Sequence, residues 1–274
     1  MLLSIVIRNL NEGNHLKQAL LSIQKQQVDF EYEIIVVDNE SDDDSVKIAS
    51  DFGCKIITLK RSEFTFGHSL NYGIQKVSGS FILILSAHII LLNEFFLKNI
   101  PAYFHDPQVA GLRFVNAADK TSAEQSIENG PQELIYSATV TQEHWQHLII
   151  NHCAAIRKSC WNDIKFNKEL FAGEDKQWAI DVLKAGNKLL YNVPCYYIYT
   201  RTLTREQKIK RQAIETASKE LLTSNKDKNF EGALLPVMFR KIQHEIRRSY
   251  QQLVVHKAVY NSLIDLRKRK NQNK

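Results

Sequence analysis

The sequence predicts an α/β fold built on an open sheet. Short apolar segments alternate with amphipathic segments over the first 90 residues, which is the rhythm of strand–helix–strand units. The apolar segments show no alternation, as in Glu33-Ile34-Ile35-Val36-Val37-Asp38, and this is typical of parallel strands covered on both faces. Polar clusters follow several of these segments, at the edge of the sheet where such folds bind ligands.

The elements follow one another along the chain. We predict strands at residues 2–7, 33–38, 54–59 and 81–85, with helices at 12–26, 45–52 and 67–77. Further strands are predicted at 110–115, 149–157 and 188–199, a polar loop at 117–130, and a helix at 174–185. From residue 204 onward apolar residues recur every three or four positions, which indicates helices with a basic opposite side.

Charge divides the chain into two parts. Residues 1–200 carry 18 Lys and Arg against 23 Asp and Glu, whereas residues 201–274 carry 18 against 7. We therefore predict a domain at 1–200 and a basic helical extension at 201–274. Such an extension either contacts an anionic membrane or nucleic acid, or packs as a solvated helical pair on the first domain. We expect no nucleic-acid partner, because the first domain is acidic and no nucleic-acid-binding module is recognisable.

The sequence predicts a cytoplasmic protein. Its four cysteines have no metal-binding spacing, which is typical of reduced thiols. The longest largely apolar run, residues 81–92, is shorter than the ~20 residues that span a bilayer. The first residues lack the basic region and cleavage site of a signal peptide. Residues 201–274 are the candidate contact with the inner face of the membrane.

Three polar clusters follow predicted strands: Arg8-Asn9-Leu10-Asn11-Glu12, Asp38-Asn39-Glu40 and Ser86-Ala87-His88. We expect them to converge in one crevice. GxGxxG and GxxxxGK[ST] motifs are absent, so a nucleotide would be held by side chains and a metal. Asp38 either contacts a base or ribose, or simply starts a turn.

A second candidate site begins a predicted helix at Glu174-Asp175. Adjacent carboxylates at this position are stabilised by the helix dipole. Alternatively, one of them is a general base at a cleft, with Trp178 as an apolar wall.

Five segments resemble, in order, those of family 2 glycosyltransferases of the GT-A fold: Ser4–Glu12, Glu33–Asp42, Gly79–His88, Ala154–Trp161 and Gly173–Trp178. Residues 63–73 resemble a segment of the bacterial subset that begins with SIVIR and carries LSAH. The resemblance covers roughly residues 2–200. It implies a Rossmann-like open mixed sheet with helices on both faces, here followed by the C-terminal helical extension.

The resemblance implies an inverting glycosyltransferase of surface polysaccharide biosynthesis. Its donor would be a UDP-, dTDP- or GDP-linked sugar, and its acceptor a saccharide or a lipid-linked saccharide. The competing interpretation is a homologue that binds nucleotide sugars without catalysis. The third interpretation is a nucleic-acid-binding protein that uses the basic tail.

The resemblance also implies roles for individual residues. Asp175 would be the catalytic base, Glu174 would support it, and Trp178 would shape the acceptor side. The nucleotide and donor site would be formed by Arg8, Asn9, Glu12, Asp38, Asn71, Ser86 and His88.

The resemblance fails at one motif. The family's Asp-x-Asp, which holds Mn²⁺ or Mg²⁺ against the diphosphate, is replaced by Ser86-Ala87-His88, and the His that the family often has near Tyr199–Arg201 is missing. His88 is therefore a candidate metal ligand, although hard cations prefer oxygen. Alternatively it binds the diphosphate directly, helped by Arg201 or Arg205, or it is a core histidine. A divalent metal, Mn²⁺ or Mg²⁺, stays an open prediction.

Overall fold

A mixed β-sheet forms the centre of the fold in this computed structural model, which describes residues 3–135, 142–170 and 172–223. Its strands are β1 (Leu3–Asn9), β2 (Tyr32–Asp38), β3 (Lys55–Thr58), β4 (Phe81–Ser86), β5 (Ile89–Leu91), β6 (Val109–Asn116), β7 (Gln132–Leu134), β8 (Cys153–Arg157) and β9 (Lys188–Tyr199). Their order is β3-β2-β1-β4-β8-β6-β9-β5, and β7 pairs with β9. The first four strands of this order are parallel, while β8 is antiparallel to both β4 and β6.

The helices alternate with the strands as predicted in the first part of the chain. They are α1 (Gly13–Gln24), α2 (Ser45–Asp51), α3 (Phe66–Ile74), α4 (Phe96–Asn99), α5 (Lys120–Asn129), α6 (Gln142–Trp145), α7 (Lys158–Asp163), α8 (Glu174–Lys184) and α9 (Arg205–Thr223). The predicted α/β fold with an open mixed sheet is confirmed. The chain divides into two compact units, Met1–Thr202 and Leu203–Lys274.

The centre of the sheet explains why the first strands lack alternation. Every residue of β1 and β4 is buried, so both faces of these strands are covered. Burying one aliphatic side chain contributes about 1.5–3 kcal/mol, which favours an unbroken apolar run. Gly73 lets α3 approach this layer, because a Cβ there would lie 2.7 Å from both Val6 and Val37.

The parallel register brings the strand ends together. Asn9 is paired with Asp38, and Arg8 with Ser86, at the carboxyl ends of β1, β2 and β4. The three polar clusters therefore converge at one edge of the sheet.

Two element predictions were wrong. The predicted loop at 117–130 contains α5, whose N-cap Asp119 accepts a hydrogen bond from Ser122 N. This helix buries Ser126 and exposes 75% of Ile127, so it has no apolar stripe to reveal it. The predicted strand at 149–157 starts only at Cys153, because the preceding residues turn towards α8.

The described part of the second unit is α9, which agrees with the helical pattern predicted from residue 204. Residues 224–274, which include most of the predicted basic extension, lie outside the described residues. The division into domains at 1–200 and 201–274 stays a prediction, as does the role of Arg205. Among the described residues, no helix combines the length and the apolar character needed to cross a membrane.

Candidate active site

The edge of the sheet at which β1, β2 and β4 end carries most of the predicted donor-site residues. The Arg8 guanidinium reaches Ser86 Oγ at 3.4 Å, and Asn9 Nδ2 donates to Asp38 Oδ1 at 2.9 Å. His88 Nδ1 lies 2.7 Å from Glu12 Oε2. The structure thus connects the three clusters through side-chain contacts as well as through the strand register.

Asp38 organises the loop that follows β2. Its Oδ1 accepts from Asn9 and from Ser41 Oγ at 2.6 Å, and its Oδ2 accepts from Ser41 N at 2.9 Å. Arg61 holds the same loop through the carbonyls of Asn39 and Glu40. Since Asp38 is only 1% exposed, it fits the turn-starting interpretation in this structure, and its contact with a base or ribose stays a prediction.

Asn71 and Trp178 hold the segment around residues 161–166. Asn71 Oδ1 accepts from Trp161 Nε1 and from Phe166 N, while its Nδ2 donates to Phe166 O at 2.7 Å. The Trp178 ring is 1% exposed and donates to Ile164 O at 2.7 Å. Both side chains support the site from inside, and their direct contacts with donor and acceptor stay predictions.

Asn151 connects the edge of the sheet that carries Arg8 to the carboxylate pair Glu174 and Asp175 at the start of α8. Its backbone N–H donates to Asp175 Oδ2 at 2.9 Å, and its side-chain amide donates to Glu174 Oε1. Its carbonyl accepts from Arg8 at 3.3 Å. Arg8 therefore bridges Ser86 and the residue that positions both carboxylates.

Arg8 is a buried cation among carboxylates. Burial lowers the pKa of its guanidinium, whereas the charges of Glu174, Asp175 and Glu12 act in the opposite direction. The guanidinium also lies 5.0 Å from the centroid of the Phe66 ring, a cation–π contact that adds to its anchoring.

The two carboxylates of the pair differ in their surroundings. Glu174 is fully buried, and its Oε2 has no hydrogen-bond partner among the described residues. Burial, followed by the charge of Asp175, raises the pKa of Glu174 to about 7. Asp175 is 6% exposed and accepts from Lys176 N as well as from Asn151 N. Two carboxyl groups this close in a buried site raise the pKa of one of them, which here is Glu174.

Sequence reasoning missed the residues that fix the segment before β8. Lys176 Nζ donates to the carbonyls of Leu148 and Ile149, both at 3.0 Å. The only local signal in the sequence for this anchor was a lysine directly after two carboxylates, and Asn151 gave none.

The surroundings of His88 were also missed. Thr200 donates to His88 O through both its backbone N–H and its Oγ1, each at 3.0 Å. The Tyr199 ring packs against the His88 ring with centroids 4.5 Å apart and against the His152 ring with centroids 5.3 Å apart. Arg201 NH1 lies 3.1 Å from Glu12 Oε1. Burial raises the pKa of Glu12, but the hydrogen bond and charge of His88, together with Arg201, outweigh it and lower the pKa.

The residues at this edge do not fit a metal held mainly by the protein. Among the described residues no group of three or more His, Cys, Asp and Glu side chains could hold an ion. His88 already uses Nδ1 for Glu12, and the other oxygen of Glu12 pairs with Arg201. Mg²⁺ and Mn²⁺ prefer several oxygen ligands, which this strand end does not offer. His88 as a metal ligand stays a prediction.

Comparison with known proteins identifies the family of the chain. A family model described as "Glycosyl transferase family 2" matches residues 4–164. The O-antigen chain rhamnosyltransferase RfbN of Salmonella typhimurium is 24% identical over 226 residues, covering 77% of this chain and 70% of that protein. A Methanococcus voltae protein, dolichyl N-acetyl-alpha-D-glucosaminyl phosphate 3-beta-D-2,3-diacetamido-2,3-dideoxy-beta-D-glucuronosyltransferase, is 23% identical over 219 residues, covering 71% of this chain and 66% of that protein.

Solved structures share the architecture at low identity. The mannosyltransferase PcManGT from Pyrobaculum calidifontis, in complex with GDP-Man and Mn²⁺, has a TM-score of 0.61 and 15% identity, covering 94% of this chain and 79% of that chain. S. aureus TarS 1-349 in complex with UDP-GlcNAc has a TM-score of 0.60 and 18% identity, covering 88% of this chain and 72% of that chain. Proteins of this architecture thus include one that binds a divalent metal together with a nucleotide sugar.

Proposed function

The chain belongs to glycosyl transferase family 2 and is a glycosyltransferase, and on this premise we propose that it moves a sugar from a nucleotide-sugar donor to a saccharide or lipid-linked acceptor in surface polysaccharide assembly. Its GT-A fold is confirmed by the likeness to solved structures. Relatives named as acting on O-antigen chains and on a dolichyl phosphate-linked sugar support the acceptor class. Structural neighbours in complex with UDP-GlcNAc and GDP-Man support the donor class.

One observation supports this proposal most directly: Arg8 connects the two halves of the site. It contacts Ser86 at the end of β4 and the carbonyl of Asn151, whose N–H groups hold both Glu174 and Asp175. A donor at the strand end would therefore lie beside a carboxylate pair of which three oxygens, Glu174 Oε1 and both oxygens of Asp175, are held by hydrogen bonds. Such fixed positions are what a displacement reaction needs.

In the proposed reaction Asp175 is the general base. It accepts the proton of an acceptor hydroxyl, whose oxygen attacks the anomeric carbon. The bond between that carbon and the donor phosphate breaks, its electron pair goes to the phosphate oxygen, and a nucleoside diphosphate leaves. One displacement inverts the anomeric carbon. Asp175 Oδ1 and Oδ2 each accept one backbone N–H, which orients the carboxylate while leaving lone pairs for the hydroxyl.

The proposal is tested with a panel of UDP-, dTDP- and GDP-linked sugars, with and without Mn²⁺. We expect nucleoside diphosphate release with one nucleotide class, and a rise in the thermal transition with the same class because a ligand that binds the folded state stabilises it. The competing non-catalytic homologue would show the thermal shift without release under any acceptor tried. No shift with any nucleotide, together with salt-sensitive DNA binding, would contradict the proposal in favour of the nucleic-acid alternative.

We also propose that residues 201–274 contact an anionic membrane, where a lipid-linked acceptor would be located. The support is the charge of this segment, 18 Lys and Arg against 7 Asp and Glu, since each basic residue near an anionic surface contributes about 1 kcal/mol. Flotation with vesicles of phosphatidylglycerol and phosphatidylcholine is expected to recover the full chain and not a chain that ends at residue 200. Equal recovery of both chains would contradict the contact, and vesicles of phosphatidylcholine alone are the control.

A further inference from the structure

Glu12 lies between two basic side chains at the edge of the sheet where β1 and β4 end. Its Oε2 is 2.7 Å from His88 Nδ1, and its Oε1 is 3.1 Å from Arg201 NH1. His88 and Glu12 are 76 residues apart in the chain, so this contact depends on the fold. One carboxylate thus holds both groups.

The backbone fixes the same arrangement. Ile89 is paired with Tyr199 in the antiparallel β5–β9 ladder, and Thr200 donates twice to His88 O. Arg201 is therefore carried to the strand end by the residues that precede it. The Tyr199 ring, 4.5 Å from the His88 ring, limits how that ring can turn.

The contacts with Glu12 leave donors for a ligand. A carboxylate only accepts, so Nδ1 of His88 carries the proton in this hydrogen bond. Nε2 makes no hydrogen bond with the described residues, and an imidazolium donates through both ring nitrogens. The Arg201 side chain is 43% exposed and contacts Glu12 through one terminal nitrogen, while a guanidinium has five N–H donors.

We infer that His88 and Arg201, both positioned by Glu12, bind the diphosphate of the donor in place of a protein-held metal ion. This inference rests on the proposed function. When the bond to the anomeric carbon breaks, the electron pair goes to a diphosphate oxygen, and the added charge is stabilised by the Arg201 guanidinium and, when Nε2 carries a proton, by His88. Donors fixed before the reaction stabilise such a charge strongly. Glu12 is then a positioning residue rather than a contact of the nucleotide.

The site explains why a histidine follows the buried strand β4. His88 is the group of the Ser86-Ala87-His88 triplet that can carry positive charge, whereas the family's Asp-x-Asp would carry negative charge. Two basic side chains at a strand end can contact a diphosphate directly, while two carboxylates there require a metal between them and the diphosphate. The replacement of Asp-x-Asp by Ser86-Ala87-His88 is therefore chemically consistent with the contact between Arg201 and the Glu12 carboxylate.

The test measures binding of UDP, dTDP and GDP, and of their nucleosides, by calorimetry in EDTA or with Mn²⁺. The wild-type chain is expected to bind one nucleoside diphosphate with the same Kd, within about twofold, in both conditions. His88→Ala and Arg201→Ala are each expected to raise that Kd about tenfold or more, as removal of a charge-assisted hydrogen bond does. Glu12→Gln is expected to weaken binding of the same nucleoside diphosphate, because His88 and Arg201 lose the carboxylate that positions them.

The nucleoside serves as the control ligand and His15→Ala as the control variant. His15 Nδ1 lies 4.0 Å from the same Glu12 carboxylate, beyond hydrogen-bond distance, so this variant is expected to keep the wild-type Kd. Nucleoside affinity is expected to stay unchanged in all variants, which a general structural defect would not allow. Should His88→Ala lose the nucleoside too, His88→Gln provides the uncharged polar replacement, with the same expected loss of diphosphate affinity.

The outcomes separate this inference from the proposed function. Binding that appears only with Mn²⁺, or a Kd that does not change in His88→Ala and Arg201→Ala, would overturn the inference and leave the glycosyltransferase proposal standing. A wild-type chain that binds no nucleoside diphosphate in either condition would overturn both.

Discussion

Asp175→Asn is expected to lower kcat by about 10²- to 10⁴-fold, the range that a general base contributes. An amide cannot take the proton of the acceptor hydroxyl, while its shape stays close to that of the carboxylate. The donor KM is expected to change by less than about threefold, because the proposed diphosphate contacts lie elsewhere. The measurement is steady-state release of nucleoside diphosphate with the donor identified by the panel.

A matched control comes from the same helix. Asp181 is a half-buried carboxylate six positions further along α8, and Asp181→Asn is expected to keep kcat within about twofold. Asp175→Asn also replaces one of two oxygens that accept backbone N–H groups, so a stability loss of about 1–3 kcal/mol accompanies it. Nucleotide binding by the folded variant separates the two effects. Wild-type kcat in Asp175→Asn would exclude Asp175 as the base.

The part of the fold that the sequence revealed is the part in which local pattern and burial coincide. β1 and β4 are buried along their whole length, so the apolar runs locate them without any knowledge of their neighbours. α5 was missed because its single buried residue, Ser126, leaves no apolar period. The strand that ends at Arg157 was predicted to begin too early. Leu148 and Ile149 are as buried as strand residues, but their carbonyls accept hydrogen bonds from the side chain of Lys176.

The candidate site, too, was predictable from the sequence only in part. The polar clusters at the strand ends follow from chain order, since parallel strands put their carboxyl ends at one edge. The contacts that give these residues their roles join positions far apart: Glu12 to His88 across 76 residues, and Asn151 to Glu174 across 23. No spacing rule predicts such pairs. The sequence named Arg201, with Arg205, as a candidate to help His88 bind the diphosphate, whereas the contact of Arg201 with Glu12 required the fold.

Glu174→Gln is expected to have a large effect on stability above neutral pH and a small effect on kcat, whereas Asp175→Asn mainly lowers kcat. Burial and the charge of Asp175 raise the pKa of Glu174 to about 7 from its ordinary value of 4.5. Between these values the folded chain holds a proton that the unfolded chain has released. This proton therefore stabilises the folded chain. Its contribution to the free energy of unfolding, about 3 kcal/mol, is fully present below the unfolded pKa of 4.5 and is lost as pH rises through the folded pKa of about 7.

Glutamine resembles the neutral carboxyl group and does not titrate, so the variant is expected to avoid this loss. Its oxygen can still accept from Asn151, and its amide would occupy the place of the unpartnered Oε2. Urea unfolding at about pH 5 and about pH 8, followed by fluorescence of Trp145, Trp161 and Trp178, measures the difference, because all three tryptophans belong to the first unit. Glu169→Gln changes an exposed glutamate, 75% accessible, and is expected to show the wild-type dependence on pH.

The same variant tests how charge is distributed in the site. With Glu174 protonated, one carboxyl group of the pair is uncharged beside the single buried guanidinium of Arg8. A balanced pair is the form that burial permits, since an uncompensated buried charge is strongly destabilising. Glu174→Gln should therefore keep kcat within about tenfold of the wild type while Asp175→Asn does not. Equal pH dependence of unfolding in the wild type and Glu174→Gln would show that folding does not raise the pKa of Glu174, and would contradict this distribution of charge.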